Sequence, residues 1–377
     1  MQLEPTPHAL VVRLRHILGG LAILSMAACS TPARPPSTVS KPQYLYAANP
    51  GSGDVSAYRI DAHSGALKPV PGSPYAADDC STVFTDPAGT SAYTLSFFGG
   101  TIRAFHIDAA SGALTSIPGS PFGTGFDGSA IAITPSGRYA YVASSYSNTV
   151  SAYRIDAATG ALASVPGSPF PVASGPLSAT IDPAGSFLYI PGNKTISIFS
   201  IDAATGQLTP ATKKPLAESR SAFTVTISPN GAFAYTAASG ILTVYRVDRA
   251  TGALTRTGQM PLPPSSRGGT FQVTVNPSTT YAYLGDFYYR IDPSTGVLTE
   301  AGRLPFTVGV DPGSGDSAAI GSAGDYFYQA LDQHIFAARI DPTTGRLIPI
   351  PGSPFAAGIN PSSLAVAQPE VGIAAGH

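Results

Sequence analysis

Two aspartates occupy the same place in successive copies of a repeated sequence. Asp79 and Asp127 each lie eight residues before the proline of a predicted turn, at Pro87 and Pro135. Carboxylates in equivalent positions of neighbouring repeats could bind a cation together, or one of them could act as a general base. Both aspartates are therefore candidate catalytic residues, and together they form a candidate cation site.

Two arginines in later repeats are candidates for contacting a carbonyl or carboxylate of a substrate. Arg220 and Arg267 lie in linkers that correspond to those of Asp79 and Asp127. A guanidinium can hold a carboxylate through two parallel hydrogen bonds, and it can stabilise an oxygen on which negative charge develops. A less specific alternative stays open, in which all four charged residues are solvated loop residues around a wide opening.

Other common catalytic and metal-binding patterns are missing from the sequence. It has no Cys/His cluster with the spacing of zinc ligands, no glycine-rich phosphate loop after a strand and no G-x-S-x-G turn before a helix. We therefore expect no organic cofactor, although a bound divalent cation is compatible with the two aspartates.

These candidates belong to a chain that is built from seven similar units. The phrase Ile/Val-Asp-x-x-Ser/Thr-Gly-x-Leu recurs with a period in the mid-forties, and its aspartates are residues 61, 108, 156, 202, 248, 292 and 341. Such a period is typical of folds that use one supersecondary unit per repeat. Because Asp can accept hydrogen bonds within its own turn and Gly can adopt a positive φ, the phrase predicts a hairpin turn with a structural aspartate.

A second turn alternates with the first and completes the predicted unit. Asp86-Pro87-Ala88-Gly89 and Thr134-Pro135-Ser136-Gly137 are examples, and a tyrosine follows each of them. Segments that alternate between apolar and polar residues flank both kinds of turn, so each unit is predicted to contain four short antiparallel strands, A to D. The sequence therefore predicts an all-β fold, a seven-bladed β-propeller.

The two ends of the repeated region complement each other. The first unit begins with strand B at residues 44–47, whereas residues 361–366 form a spare strand A near the end of the chain. We expect this C-terminal strand to close the first blade, because closure removes exposed sheet edges. The propeller is predicted to span residues 43–370, followed by a tail at 371–377.

The strand order predicts two unlike faces. The turn face carries the A–B and C–D turns, and the variable face carries the B–C loops and D–A linkers. Since the copies agree on the first and differ on the second, a functional site is expected at the channel mouth on the variable face. Linkers of the form Pro-Gly-Ser-Pro-aromatic, at 71–75, 118–122, 166–170 and 351–355, are expected to lead from rim to axis and to insert their aromatic ring between blades.

The N-terminus has the features of an export signal. Arg13 and Arg15 precede a short apolar run that ends at Met26-Ala27-Ala28-Cys29, which resembles a bacterial lipobox. Residues 1–28 are therefore predicted to be a lipoprotein signal peptide, Cys29 the lipidated residue, and residues 29–42 a Pro/Ser/Thr-rich tether. The predicted location is the cell envelope, with a lipid anchor in the outer membrane and the protein facing the periplasm.

The low charge of the chain excludes nucleic acid as a partner. The net charge is −1, only 11% of residues are charged, and no basic block occurs. Nucleic-acid binding depends on such a block, so nucleic acid is excluded as a partner. We expect a monomer.

The assembled motifs resemble the lactonase-type seven-bladed propellers, which include relatives of 6-phosphogluconolactonase and carboxymuconate cyclase and the YVTN-repeat proteins. The resemblance covers residues 43–370 and rests on residues 155–162, 228–231 and 141–144. It implies the propeller fold and, for enzymatic members, lactone hydrolysis. Such members often place histidines just before a strand A, whereas the corresponding segments here, at 78–81, 126–129, 175–178 and 219–222, contain none.

Two functions of different classes follow from the sequence. The first is a cell-envelope lipoprotein that binds a small ligand or a protein through its variable face, without catalysis. The second is a lactone hydrolase, in which Asp79 or Asp127 activates water and Arg220 or Arg267 polarises the ester. The missing histidines favour the first, and the resemblance favours the second.

Overall fold

The computed structural model describes residues 41–96, 99–124, 128–173, 175–218, 220–238, 240–262, 272–306 and 317–369. The regular secondary structure of these residues consists of β-strands alone. No helix long and apolar enough to span a membrane occurs among them. The predicted signal peptide, Cys29 and most of the predicted tether fall outside the described residues. The predicted segment boundaries therefore stay predictions.

The strands form seven small antiparallel sheets, which are the seven predicted blades. Blade 1 contains β1 (Gln43–Asn49), β2 (Asp54–Ile60), β3 (Leu67–Pro69), β4 (Tyr75–Ala76) and, from the other end of the chain, β33 (Ser363–Ala367). Blade 2 contains β5 (Cys80–Thr85), β6 (Ser91–Ser96), β7 (Thr101–Ile107), β8 (Leu114–Ser116) and β9 (Phe122–Gly123). Blade 3 contains β10 (Gly128–Ile133), β11 (Tyr139–Ser144), β12 (Thr149–Ile155), β13 (Leu162–Ser164) and β14 (Phe170–Pro171).

The remaining four blades follow in chain order. Blade 4 contains β15 (Thr180–Ile181), β16 (Phe187–Gly192), β17 (Thr195–Ile201), β18 (Leu208–Pro210) and β19 (Leu216–Ala217). Blade 5 contains β20 (Val225–Ile227), β21 (Phe233–Ala238), β22 (Ile241–Val247) and β23 (Leu254–Pro261). Blade 6 contains β24 (Thr274–Val275), β25 (Tyr281–Leu284), β26 (Phe287–Ile291) and β27 (Leu298–Arg303). Blade 7 contains β28 (Ala318–Ile320), β29 (Tyr326–Leu331), β30 (His334–Ile340), β31 (Leu347–Pro349) and β32 (Phe355–Ala356).

The predicted closure of the first blade is confirmed. Blade 1 has the strand order β3-β2-β1-β33, in which the C-terminal strand takes the place of strand A. Strand β33 runs antiparallel to β1, with Val366 opposite Leu45 and Ser363 opposite Ala48. The first and last parts of the chain therefore share one sheet.

The Pro-Gly-Ser-Pro linkers do not follow the predicted path, because they lie within the outer strand D. In five blades strand D consists of two short pieces that both pair with strand C, such as β3 and β4 with β2. The Pro-Gly-Ser-Pro linker lies between the pieces and stays at the rim, because Ser73 Oγ accepts a hydrogen bond of 2.8 Å from the backbone N of Ala57 on strand C. The expected passage from rim to axis is therefore wrong for this segment. Its aromatic ring does pack between blades, as Tyr75 does in the core shared by blades 1 and 2.

A tyrosine of strand B connects each blade to the next. Its hydroxyl donates a hydrogen bond to the carbonyl of the glycine in the neighbouring C–D turn, at 2.9 to 3.1 Å. The pairs are Tyr46–Gly112, Tyr93–Gly160, Tyr141–Gly206, Tyr189–Gly252, Tyr235–Gly296, Tyr283–Gly345 and, across the closure, Tyr328–Gly65. Burial raises the pKa of these phenols, to about 12 for Tyr93, so they stay protonated donors. We call these seven contacts the interblade latches.

The repeated turn phrase therefore has two structural tasks. Asp61 Oδ1 accepts a hydrogen bond of 2.9 Å from Ser64 N, which holds the turn together, and the equivalent aspartates do the same. Gly65 has a φ of 71°, and a Cβ there would lie 2.3 Å from Cδ1 of Tyr326 in the preceding blade. Both the backbone angle and the close ring exclude a side chain at this glycine. The predicted structural role of the aspartates is confirmed.

Candidate active site at the channel mouth

A cavity of about 610 Å³ lies on the axis of the propeller. Residues at or just before strand A of all seven blades line it. Its described lining consists of hydroxyl and amide side chains, among them Thr82, Ser317 and Gln272, together with apolar ones such as Phe84 and Phe223. Within the described residues, this lining contains no charged side chain.

Among the described residues, the mouth of this cavity has a polar side in blades 1 to 3 and an apolar side in blades 4 and 5. In each blade, one residue lies three positions before the strand A residue that pairs with the latch tyrosine, and five such residues are described. We call them the upper ring: Ser362, Ser81 and Ser129 in blades 1 to 3, then Leu177 and Phe223 in blades 4 and 5. All five line the cavity except Ser81, whose neighbour Thr82 does.

The serines of the upper ring are held in place by backbone carbonyls. Ser81 Oγ donates to Leu95 O at 3.0 Å, and Ser362 Oγ donates to Ser81 O at 2.6 Å. Ser129 Oγ lies 3.1 Å from both Ala143 O and Pro176 O. Because these hydroxyls donate to the backbone, their oxygen lone pairs are the groups that can accept hydrogen bonds from a ligand.

Asp79 stands directly before β5 as an exposed carboxylate. Ser96 Oγ donates to Asp79 Oδ2 at 2.9 Å, and the backbone N of Gly99 donates to Ser96 Oγ at 2.7 Å. Asp79 has a φ of 52°, and the preceding Asp78 has a φ of 22°. Positive φ values are uncommon for non-glycine residues and are frequent at functional sites.

An ion pair lies next to this carboxylate. The guanidinium of Arg103, on β7, contacts the carboxylate of Asp78. The Asp78 side chain remains 75% exposed, so the pair lies at the surface. Neither contact follows from the local sequence, because Ser96 reaches Asp79 from the end of β6 and Arg103 reaches Asp78 from β7. Asp79 is thus fixed by one neighbour and flanked by a paired charge.

Of the other predicted site residues, the structure describes only Arg220. Asp127 and Arg267 lie outside it, as Cys29 does. Arg220 is described and is exposed, just before blade 5. Blades 2 and 5 are as far apart as two blades of a seven-membered ring can be, so Asp79 and Arg220 precede distant blades, and neither belongs to the lining of the axial cavity.

The candidate cation site stays a prediction. Among the described residues, no group of three or more His, Cys, Asp or Glu side chains is arranged to hold a metal ion. The proposed pairing of Asp79 with Asp127 involves a residue outside that part of the chain. Of the two aspartates, the structure describes only Asp79.

Glu218 is a buried acid that sequence reasoning did not single out. Its side chain is only 5% exposed, and it accepts a hydrogen bond from the hydroxyl of Tyr245. Arg256 lies 3.9 Å from its Oε2. Most equivalent positions carry apolar residues, namely Ala77, Val172, Leu262, Leu304 and Ala357, with Thr124 as the other polar one. An alignment of the seven linkers would have revealed this difference.

A second cavity opens at the turn face. It has a volume of about 720 Å³, and Phe84, Thr85 and Val366 belong to the linings of both cavities. Its acidic residue, Asp86, accepts hydrogen bonds from the backbone N of Thr90 at 2.7 Å and of Ser91 at 2.9 Å. That carboxylate holds the A–B turn together, so it is a structural group.

Comparison with known families identifies the fold family. The family model described as lactonase, seven-bladed β-propeller, matches residues 82–225 and 180–267. The seven antiparallel sheets, of which the first is completed by the C-terminal strand β33, agree with that description. The chain belongs to the lactonase-type seven-bladed propellers.

Solved structures of similar shape agree with this assignment. A putative 6-phosphogluconolactonase from Bacteroides fragilis superposes with a TM-score of 0.72 at 19% identity, covering 88% of this chain and 99% of the other. A putative 6-phosphogluconolactonase from Bacteroides uniformis gives 0.73 at 17%, covering 87% and 100%. The periplasmic gluconolactonase PpgL of Pseudomonas aeruginosa gives 0.70 at 18%, covering 86% and 99%. At these identities the likeness shows the fold alone. No curated protein matches the chain.

The family match does not extend to every candidate residue of this lactonase-type propeller. Arg220, Glu218 and Phe223 lie inside the matched ranges, whereas Asp79 lies three residues before the first matched residue. The family match therefore does not include Asp79, whose candidate role rests on its exposure and its contact with Ser96.

Proposed function

We propose that this propeller hydrolyses a lactone, the cyclic ester of a hydroxy acid, at the channel mouth on its variable face. The observation that carries the proposal is the exposed carboxylate of Asp79, which Ser96 fixes three residues before Thr82 of the cavity lining. The lactonase family match and the relatives described as gluconolactonases support this function over binding without turnover.

In the proposed reaction, Asp79 is the general base. Its carboxylate takes a proton from a water molecule while the water oxygen attacks the lactone carbonyl carbon. The carbonyl oxygen then carries negative charge, which a guanidinium can stabilise. Arg220 and Arg267 are the candidate residues for this role.

Ring opening completes the reaction. The bond between the carbonyl carbon and the ring oxygen breaks, and the proton held by Asp79 passes to the departing alkoxide oxygen, directly or through water. The product is the open-chain hydroxy acid, and the base is regenerated. Asp127, if it faces the same mouth, is the alternative base.

The proposed location is the cell envelope. A lipid on Cys29 would anchor the propeller to the outer membrane on the periplasmic side, as the lipobox-like sequence indicates. That one similar structure is described as a periplasmic gluconolactonase supports an exported lactonase. Lipidation is tested by mass spectrometry of the purified protein from the membrane fraction, with Cys29→Ser expected to abolish the lipid adduct.

A lactone panel tests the activity. The chain starting at Ser30 is assayed with glucono-1,5-lactone, with its 6-phosphate and with dicarboxylate lactones, following acid release. The wild-type chain is expected to hydrolyse at least one of them faster than buffer. Absence of turnover on the whole panel contradicts the proposal and leaves binding without catalysis as the function.

A further inference from the structure

We propose that Arg103 is the residue that stabilises the negative charge on the lactone carbonyl oxygen while Asp79 activates the water. Its guanidinium would donate hydrogen bonds to that oxygen and keep its own protons throughout the reaction. This assignment rests on the proposed function and deepens it, because it gives the stabilising role to an arginine of the same blade as the base. The sequence candidates for that role, Arg220 and Arg267, belong to later linkers.

The contact between Arg103 and the residue before the base is the first observation. Arg103 Nη2 donates a hydrogen bond to Oδ2 of Asp78, and Asp79 follows Asp78 directly in the chain. A general base and an oxyanion donor must each lie about 3 Å from the atom that they serve, so both have to surround one carbonyl group. The guanidinium of Arg103 is held within one residue of Asp79, whereas Arg220 precedes the distant blade 5.

The guanidinium of Arg103 is open to a ligand. Its side chain is 33% exposed, and that of Asp78 is 75% exposed. An exposed ion pair contributes little to stability, so a ligand can take over part of this contact at small cost. A guanidinium carries five N–H donors, and the carboxylate of Asp78 accepts from one of them, so the group has further donors for a carbonyl oxygen.

The residue type of Arg103 is the second and independent observation, because it departs from the repeat. Arg103 lies on strand C opposite the residue that follows the latch tyrosine. Four other blades have a buried serine or threonine at this position, namely Ser56, Ser151, Ser197 and Thr243. Blades 6 and 7 have phenylalanine there, Phe287 and Phe336. The structure describes this position in all seven blades, and only blade 2 has a charged residue there.

A serine at this position contacts the same linker without a charge. In blade 4, Ser197 Oγ accepts a hydrogen bond of 3.4 Å from the backbone N of Ala173, which corresponds to Asp78. In blade 3, Ser151 Oγ donates to Thr124 O at 3.3 Å in the equivalent linker. The shared fold therefore explains a small hydroxyl residue here, and it does not explain the guanidinium of blade 2.

The repeat supplies a replacement that removes the guanidinium and keeps the fold. Arg103→Ser gives blade 2 the residue that blades 3 and 4 have at this position, so we expect thermal melting close to that of the wild type. Arg154→Ser is the matched control. Arg154 is an exposed residue of strand C in blade 3, next to the C–D turn on the opposite face, and the equivalent residue of blade 4 is Ser200.

The test measures kcat and KM on the best lactone of the panel, for the wild-type chain starting at Ser30 and for each variant. We expect Arg103→Ser to lower kcat about 100-fold, the effect of losing one oxyanion donor. Because that interaction forms in the transition state, KM should stay within about 3-fold of the wild type. Arg103→Lys keeps the charge but loses the planar fork, so its kcat should lie between the two. Arg154→Ser should keep wild-type values.

Added guanidinium ion gives a readout that a purely structural role would not change. Guanidinium chloride is titrated at concentrations far below those that unfold the chain, with urea at the same concentrations as the control. We expect guanidinium to raise kcat of Arg103→Ser in proportion to its concentration, because the ion can occupy the place of the missing side chain. Urea should leave kcat unchanged, and neither compound should accelerate the wild type.

The outcomes separate this assignment from the proposed function. An Arg103→Ser protein with wild-type kcat overturns the assignment, while the lactonase function stands. A loss of kcat that Arg154→Ser shares, or that guanidinium does not restore, also overturns it. A wild-type chain that hydrolyses no lactone contradicts the proposed function, and the assignment falls with it. Loss of kcat in Arg103→Ser alone, with recovery by guanidinium and unchanged melting, is the result that supports it.

Discussion

At the residue scale, the candidate site combines one residue that the sequence indicated with several that it did not. Asp79 was found because it has the same offset from a turn proline as Asp127. Its partner Ser96 could not be found in this way, since their contact depends on how strand B ends against strand A. The unlike sides of the upper ring became visible only when the strand registers placed Ser81 and Phe223 at one level.

Glu218 gives a stability prediction at the same scale. Glu218→Ala removes the acceptor of the Tyr245 hydroxyl in a buried position, so we expect a loss of about 1–3 kcal/mol in the free energy of unfolding. The double variant Glu218→Leu, Tyr245→Phe removes both polar groups, as in the blades with apolar residues there. Its free energy of unfolding is expected to stay closer to that of the wild type. Urea unfolding measures both, and equal losses in the two variants would show that the hydrogen bond is unimportant.

At the scale of the element, the repeated turn phrase is more than a local turn. The sequence predicted its hairpin and its structural aspartate, because both depend on nearby residues. It could not reveal the interblade latch, in which Tyr283 donates to Gly345 O at 2.9 Å across 62 positions of sequence. Long-range contacts of this kind follow from the angle between blades, which no local pattern encodes.

The latch predicts that the turn glycines are intolerant of substitution. Gly345 has a φ of 73°, and a Cβ would lie 2.3 Å from Cδ1 of Tyr281. We expect Gly345→Ala to lower the free energy of unfolding by about 2–4 kcal/mol, through backbone strain and overpacking together. Tyr283→Phe, which removes only the hydrogen bond, is expected to cost about 1 kcal/mol.

Gly123→Ala is the control for this prediction. No atom lies within 4 Å of a Cβ at Gly123, and its φ is not positive. Thermal and urea unfolding should leave this variant close to the wild type. A Gly345→Ala protein as stable as Gly123→Ala would contradict the account of the turn.

The turn aspartates predict how stability depends on acid. Hydrogen bonds from Ser294 and Thr295 lower the pKa of Asp292 from 3.8 to about 2, and the pKa values of the equivalent aspartates are lowered too. Because the folded-state pKa lies below the unfolded one, the stabilisation is complete above about pH 4 and is lost as the pH falls toward 2. Urea midpoints should therefore fall between pH 4 and 2. Asp292→Asn should show a shallower fall than the wild type, and an identical slope would contradict this cause.

At the scale of the whole molecule, the sequence was most informative. The number of turn phrases equals the number of blades, and the complementary ends predicted the strand that closes the ring. This succeeded because repetition and closure are properties of the entire chain. The function is harder to predict from the sequence. The turns that define the fold repeat in every unit, whereas the residues at the channel mouth differ from blade to blade.

Closure can be tested by removing the last strand. A chain that stops after Asn360 lacks β33, so β1 becomes an open edge that can pair with another molecule. We expect this chain to aggregate in size-exclusion chromatography. A chain that stops after Pro369 keeps β33 and is expected to elute as a monomer. Monomeric behaviour of both chains would show that β33 is dispensable.

The central claim is that Asp79 activates water for lactone hydrolysis at the channel mouth, and kcat of Asp79→Asn tests it most directly. Asn tolerates the positive φ of this position but cannot accept a proton, so only the chemistry changes. Asp332→Asn is the control, because Asp332 is an exposed aspartate of a B–C turn with a φ of 49°. We predict that Asp79→Asn lowers kcat on the best lactone of the panel by about 100-fold or more, while Asp332→Asn keeps wild-type activity. An Asp79→Asn protein with wild-type kcat would contradict the account.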